Sequence, residues 1–346
     1  MQFADRLTML WQRYHYFSGK GRASTCGAVG GRWIGRLVSD MSEQTGLKVC
    51  VVGLGSMGMG VATSLLRGGF ETIGCDVSED AMARFVASGG QAIGNPAEAA
   101  RDADVVITVV VNAAQTEAVL FGSEGAASAM MKGGVVLSFA TMGPDMARGL
   151  EERVEALGLG YIDAPISGGA GRAAAGELTI MGSGRPEAFD KVRPVLDAIA
   201  QKVYELGDRA GIGASFKIVN QLLAGVHIAA ACEAITFAKA LGLDIAKVYE
   251  VITASAGNSW MFENRVPHIL EGDYAPRSAI DIFTKDLGIV SDIGRNLKFP
   301  LSIASTALQM FIMTSAAGMG RDDDASVARL LAQVTGLDLP EAPGTI

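Results

Sequence analysis

The sequence predicts an α/β fold, a Rossmann-type doubly wound sheet followed by an all-helical C-terminal domain. Three observations carry this. From Lys48 onward, short β-branched apolar runs alternate with helical stretches, the pattern of strands buried on both faces by crossover helices. The first run ends in Gly53-Leu54-Gly55-Ser56-Met57-Gly58, where a strand–turn–helix join is expected. After Gly207 the strand signals stop and a long, proline-free apolar stretch begins.

Taken in order, Val49–Val52 reads as the first strand, and a helix runs from the glycines to about Arg67. Glu71–Cys75 is the second strand, Ala81–Ala87 a helix, and Asp104–Val111 a long β-branched strand. Val135–Phe139, Gly160–Asp163, Leu178–Met181 and Val203–Leu206 complete the strands, with Pro144–Leu157 helical between two of them. All are expected to run parallel. Ser215–Leu241 follows as one helix, apolar nearly all round and therefore buried on several sides. Lys217, Asn220, Gln221, His227, Glu233 and Lys239 interrupt it, which argues against a membrane span. Ile245–Ala254, Ser259–Leu270, Ala279–Asn296, Ser302–Ala317 and Ala325–Val334 read as further helices.

The expected organisation is residues 1–46 as a disordered N-terminal extension, 47–208 as the dinucleotide-binding domain, 209–336 as the helical domain for substrate and self-association, and 337–346 as a tail. The leader is basic and acid-poor, as a targeting segment would be, but Met41 looks like an ordinary start shortly before the first strand. The formal net charge is −8, which speaks against a nucleic-acid surface. Four cysteines lack metal or CxxC spacing, and three histidines lie far apart, so buried free thiols in a cytoplasmic protein and no metal centre are expected. The long apolar helix suggests a homodimer or homotetramer.

Three segments could carry chemistry. In the first, Gly53 permits a tight turn, Gly55 lets backbone approach a pyrophosphate, and Gly58 allows close helix–strand packing, with Leu54, Ser56 and Met57 completing the loop. Asp76, at the end of the second strand, suits the adenosine ribose hydroxyls and repels a 2′-phosphate, which favours NAD as cofactor. The second is Asp163-Ala164-Pro165-Ile166-Ser167-Gly168-Gly169. Its Ser167 hydroxyl and the turn at Gly168 and Gly169 could receive an anion such as a carboxylate, or form only a glycine-rich loop. The third places Lys217 near the start of the apolar helix, with Asn220 and Gln221 on the same face. An amine there is costly unless it is paired or lines a cleft, or unless it snorkels from the helix end. Burial would pull its pKa from ~10.4 toward neutrality, as a proton shuttle requires.

The ordered set GLGxMG, DAPxSGG, GxGxxxKxxN and Lys285-Asp286-Leu287-Gly288 resembles the β-hydroxyacid dehydrogenase family, the 3-hydroxyisobutyrate dehydrogenase-like enzymes, over about residues 47–335. The resemblance implies a small hydroxy acid as substrate and hydride transfer to NAD. It implies that Ser167, Gly168 and Gly169 bind the substrate carboxylate and that Lys217 is the acid/base. Asn220 and Gln221 would orient substrate and lysine, and Lys285 would close over the cofactor. Ser138–Pro144 stands where the family has DMSSxSP, which puts Thr141 near the nicotinamide; Ser138 departs from the family's aspartate. Val111, Asn112 and Thr116 would contact the cofactor, and Asn258–Arg265 the substrate side, in the manner of a branch acting on polyhydroxylated acids. Reduction of an aldehyde acid is the same chemistry reversed, and a non-catalytic dinucleotide-binding protein is the rival class.

Overall fold

The computed structural model describes residues 46–341. The expectation of disorder for the N-terminal extension falls, up to residue 45, outside the described residues. The chain opens with β1 (Lys48–Val52), α1 (Ser56–Arg67), β2 (Glu71–Cys75), α2 (Glu79–Ala87), β3 (Gln91–Ala92) and α3 (Pro96–Ala100). It continues with β4 (Val105–Thr108), α4 (Ala113–Phe121), β5 (Val135–Ser138), α5 (Pro144–Glu155) and β6 (Gly160–Asp163). These strands stand in the order β3-β2-β1-β4-β5-β6, all parallel. The change of direction between β1 and β4 puts a crevice at their carboxyl ends, where such sheets bind dinucleotides. One face packs Val49, Val51, Ile107 and Leu137 under α1, α2 and α7 (Pro186–Ile199). The other packs Cys50, Val106, Val136 and Tyr161 under α3, α4 and α5. Cys50, Cys75 and Cys232 are free and buried.

Beyond β6 the expected parallel sheet gives way. β7 (Ile166–Ser167) and α6 (Gly169–Ala175) lead into β8 (Leu178–Gly184), which runs antiparallel to both β6 and β7. β9 (Ala200–Glu205) then pairs parallel to β8. An apolar strand reads the same in either direction, so only its neighbours settle which way it points. A second difference lies at β4, which stops at Thr108 rather than continuing to Val111. There the chain meets the first glycine turn: a Cβ on Gly53 would lie 2.3 Å from the Val109 carbonyl oxygen.

The C-terminal part is helical: α8 (Ile212–Ala240), α9 (Ile245–Thr253), α10 (Trp260–Glu271), α11 (Ile280–Asn296), α12 (Ser302–Thr314) and α13 (Val327–Thr335). Its core gathers Ile228, Cys232 and Ile235 of α8 with Phe262, Val266, Phe283, Leu287 and Phe311. By length and composition α8 could cross a membrane, but half of that stretch is buried inside the protein against neighbouring helices, Lys217 and Gln221 with it. Gly225 lets α11 come close, since a Cβ there would meet Leu287 at 2.9 Å.

Charges deep in this core are paired. Arg265 donates through Nε and Nη2 to the two oxygens of Asp324 at 2.5 and 3.1 Å, and His268 Nδ1 lies 2.8 Å from Asp323 Oδ1. Asp324→Ala leaves the buried guanidinium unpaired, so urea unfolding should show a loss of about 3–5 kcal/mol, whereas a change below about 1 kcal/mol would mean that water replaces the carboxylate.

Candidate active site

The glycine loop is built for close backbone approach. Gly53 takes φ +101°, and a Cβ on Gly58 would sit 1.8 Å from the Gly53 carbonyl oxygen. Gly55 is the opposite case: a Cβ there meets nothing within 4 Å, so its side of the turn is open. It begins α1, whose first turn carries no acidic residue and no side-chain cap. Free N–H groups at a helix start, next to open space, fit a pyrophosphate. Leu54 buries its side chain and gives its backbone N–H to Asp76 Oδ2 at 2.5 Å, while Asp76 Oδ1 accepts from Ser78 N at 2.8 Å. Asp76 thus braces the loop from the end of β2, where a ribose would lie. Ser56 is exposed and Met57 packs partly into the core. The residues present fit NAD.

Val111, Asn112 and Thr116 turn out to start α4. Asn112 Oδ1 accepts from Gln115 N at 2.8 Å and Gln115 Oε1 accepts from Val111 N at 2.9 Å, a reciprocal cap. The Thr116 hydroxyl is buried and donates to the Asn112 carbonyl at 3.0 Å. These polar groups are occupied locally, and the Val111 side chain is exposed.

Lys217 sits on the second turn of α8, buried, with Nζ donating to the Ile166 carbonyl at 2.8 Å. That carbonyl immediately precedes Ser167, Gly168 and Gly169, so the amine lies beside the proposed anion turn. Gly168 (φ +138°) and Gly169 (φ +75°) hold conformations that L side chains rarely adopt, and Gly169 faces open space. Ile166–Ser167 is a short strand, and Gly168 caps the helix that follows it.

Around the lysine a polar cluster closes. Asn220 Nδ2 donates to Gln221 Oε1 at 3.0 Å, and Gln221 Nε2 to Asp286 Oδ2 at 2.5 Å. Asp286 Oδ1 is ion-paired with Lys285 Nζ at 2.6 Å, and Lys285 reaches the Thr141 carbonyl at 3.5 Å. Burial pushes the Lys217 amine down to about 8; the Asp286 charge opposes this and Lys285 adds to it. The structure thus joins Lys217, the 167–169 turn, Asn220, Gln221, Lys285 and Thr141.

Sequence reasoning assigned no role to Asp286 or Asp163. Asp286 stood inside the quoted Lys285 motif, but nothing along the chain announces its bond to Gln221 on another helix. Asp163 stood inside the DAPxSGG segment, and it accepts from the Gly211 and Ala214 N–H groups at the start of α8. On the Asn258–Arg265 segment, Phe262 is core, stacked on Tyr249, Trp260 is exposed, and Asn258 bonds locally to Thr253 and Glu263.

A phosphate cradle joined to a buried, near-neutral amine is the equipment of a dinucleotide-dependent dehydrogenase, and the relatives agree. Residues 48–207 match the family described as the NAD binding domain of 6-phosphogluconate dehydrogenase. Residues 211–331 match the one described as NAD-binding of NADP-dependent 3-hydroxyisobutyrate dehydrogenase. The chain belongs to the β-hydroxyacid dehydrogenase family and is an NAD-dependent dehydrogenase of a small hydroxy acid.

Within that family it is similar to L-threonate dehydrogenases. It is 54% identical to that of Cupriavidus necator over 84% of this chain and 97% of the relative. It is 46% identical to that of Escherichia coli K12 over 83% and 95%. A crystal structure titled 3-hydroxyisobutyrate dehydrogenase, from Salmonella typhimurium, superimposes with a TM-score of 0.79 at 48% identity, covering 82% of this chain and 99% of that one.

An amine must be neutral to accept a proton, so with Lys217 in the acid/base role that the resemblance implies, oxidation should rise with pH and level off above about 8, and the reverse reduction should fall through the same value. Initial rates of NADH formation against pH check this. Asp286→Asn removes the charge that holds the amine up, so the midpoint should move lower; an unchanged midpoint would separate Asp286 from the lysine.

Proposed function

We propose that this chain oxidises L-threonate at C2, giving 2-oxo-tetronate (2-dehydro-L-erythronate), with Lys217 as the acid/base. The observation that carries the reading is the placement of the buried Lys217 amine 2.8 Å from the Ile166 carbonyl, directly beside the Ser167-Gly168-Gly169 turn. The substrate carboxylate docks on the Ser167 hydroxyl and the N–H groups that follow it. This fixes the neighbouring hydroxyl within reach of Lys217, which removes its proton. Bound NAD supplies the hydride acceptor, held by the Gly53–Gly58 loop and Asp76. Gln221 and Asn220, anchored through Asp286, orient the lysine and the substrate hydroxyls, and Lys285 ties α11 to Thr141 over the cofactor side. Alignment and exclusion of water are the protein's contribution.

The working division assigns 47–208 to the cofactor and 209–336 to substrate and self-association. Exposed Phe216, Val219, Leu223, Phe237 and Leu241 form an apolar stripe along α8, which supports a homodimer or homotetramer. Free buried cysteines suit the cytoplasm.

The second reading is a 3-hydroxyisobutyrate dehydrogenase, favoured by the name of the Salmonella structure, or a tartronate semialdehyde reductase running the chemistry in reverse. NADH production on L-threonate, D-threonate, D-erythronate, D-glycerate and 3-hydroxyisobutyrate separates them, with L-threonate expected to give the highest kcat/KM. Lys217→Ala should lower kcat by about 10²–10⁴-fold while NADH still binds. Near-normal turnover in that variant would remove the assignment. Light scattering on the eluting protein should give a multiple of 35.9 kDa.

A further inference from the structure

A helix start leaves backbone N–H groups without intrahelical partners, and burial makes each of them costly. The start of α8 is buried, and three acceptors from the sheet region meet it. Asp163 Oδ2, at the end of β6, accepts from Gly211 N at 2.9 Å and Ala214 N at 2.8 Å. Ser183 Oγ, on β8, accepts from Gly213 N at 2.8 Å. Glu151 Oε1, on α5, accepts from Ala210 N at 3.0 Å. A Cβ on Gly213 would lie 2.3 Å from the Met181 carbonyl oxygen and 2.8 Å from that of Asp163, so the helix is seated directly on the strand ends.

Two connections run from Asp163 to the reacting amine. Along α8, Lys217 follows Ala214 by three residues, on the same face one turn later. Along the sheet, Ile166, whose carbonyl receives the Lys217 amine, follows Asp163 by three residues through Ala164-Pro165. The carboxylate therefore ties the helix that carries the amine to the strand end that leads to its acceptor. We infer that Asp163 is a positioning residue for Lys217, holding the amine over the substrate turn by capping α8. This rests on the reading of Lys217 as the acid/base.

The free side of the same carboxylate shows how a substitution would be received. Asp163 Oδ1 is buried without a partner, and so are the hydroxyls of Thr108, Ser138 and Tyr161. Thr108, Ser138 and Asp163 are register neighbours on adjacent strands, and Tyr161 precedes Asp163 by two residues on the same face. Asparagine can thus keep an acceptor toward α8 and turn its amide N–H₂ toward these hydroxyl oxygens. Alanine leaves the helix start bare. The ionisable groups facing Asp163 are Tyr161 on its own strand and Glu151 on α5, which is itself paired with Arg209 at 2.9 Å. Burial pushes Asp163 up to about 6, with the two α8 N–H groups holding it down.

The test uses the full chain and compares Asp163→Ala, Asp163→Asn and Lys217→Ala by NADH formation against pH, KM for NAD and thermal unfolding. Asp163→Ala should lose about tenfold or more in kcat, as a displacement of the order of an ångström does, with KM for NAD changed by less than about twofold. Its pH midpoint should move up toward an ordinary lysine as the amine leaves its dry seat, and Asp163→Asn should recover most of kcat. Wild-type kcat and midpoint in Asp163→Ala, even with a lower Tm, would overturn the inference. If that variant does not fold, Asp163→Ser, whose single shorter hydroxyl cannot serve both the Gly211 and Ala214 N–H groups, decides: wild-type kcat and midpoint overturn the inference, and a reduced kcat with a raised midpoint and unchanged KM for NAD supports it. Normal turnover in Lys217→Ala would overturn the inference together with the function. A dead Lys217→Ala beside unaffected Asp163 variants would overturn the positioning role alone.

Discussion

A lysine amine in water holds its proton well above neutrality; keeping water from it lowers its pKa, and a fixed acceptor stops it drifting. In this molecule burial keeps water from Lys217, and the hydrogen bond from its Nζ to the Ile166 carbonyl fixes its place. The bond gives the amine one fixed acceptor without a facing carboxylate that would keep it permanently charged. The nearest counter-charge, Asp286, is itself held by Gln221 and Lys285. Its pull on the lysine is therefore weaker than the desolvation, and the balance leaves the amine at about 8. Had Asp286 bonded to Lys217 directly, the amine would stay protonated and could not act as a base.

That arrangement needs close approaches between backbones, and small residues provide them. Gly225 lets α11 lie against α8, which brings Asp286 within reach of Gln221. Gly60 does the same between α1 and α6, where a Cβ would lie 2.6 Å from the Ala174 nitrogen. Ser64 then donates to the Ala173 carbonyl at 2.9 Å. The helix capped by Gly55 is thereby fastened to the helix capped by Gly168. The glycine loop and the Ser167–Gly169 turn share one support, as the proposed transfer between two bound molecules would require.

What could be read along the chain was whatever depends on neighbours within a few residues. The glycine loop with its strand and helix, Lys217 with Asn220 and Gln221 on one helix face, and the turn at Gly168 and Gly169 all belong to this class. What the structure added depends on which partners each group meets. The stretch after Thr108 has the composition of a strand, but Gly53 occupies its path. Asn112 and Thr116, expected beside a cofactor, use polar side-chain atoms at the start of α4. A capping side chain and a binding side chain have the same chemistry, so residue type cannot tell them apart. The reversal of β8 was invisible because side-chain alternation carries no direction.

The sequence by itself determined the alternation of strand and helix from Lys48 onward, the glycine turn after the first strand, and the presence of a lysine in an apolar helix. Periodicity and the special geometry of glycine are local, and each is written in a short window. Only the tertiary structure decided that this lysine is buried rather than snorkelling, that Asp163 and Asp286 hold its surroundings, and which hydrogen-bonding groups remain free for ligands. Those outcomes follow from desolvation and from pairings between residues as much as 144 positions apart, and neither exists until the chain has closed on itself.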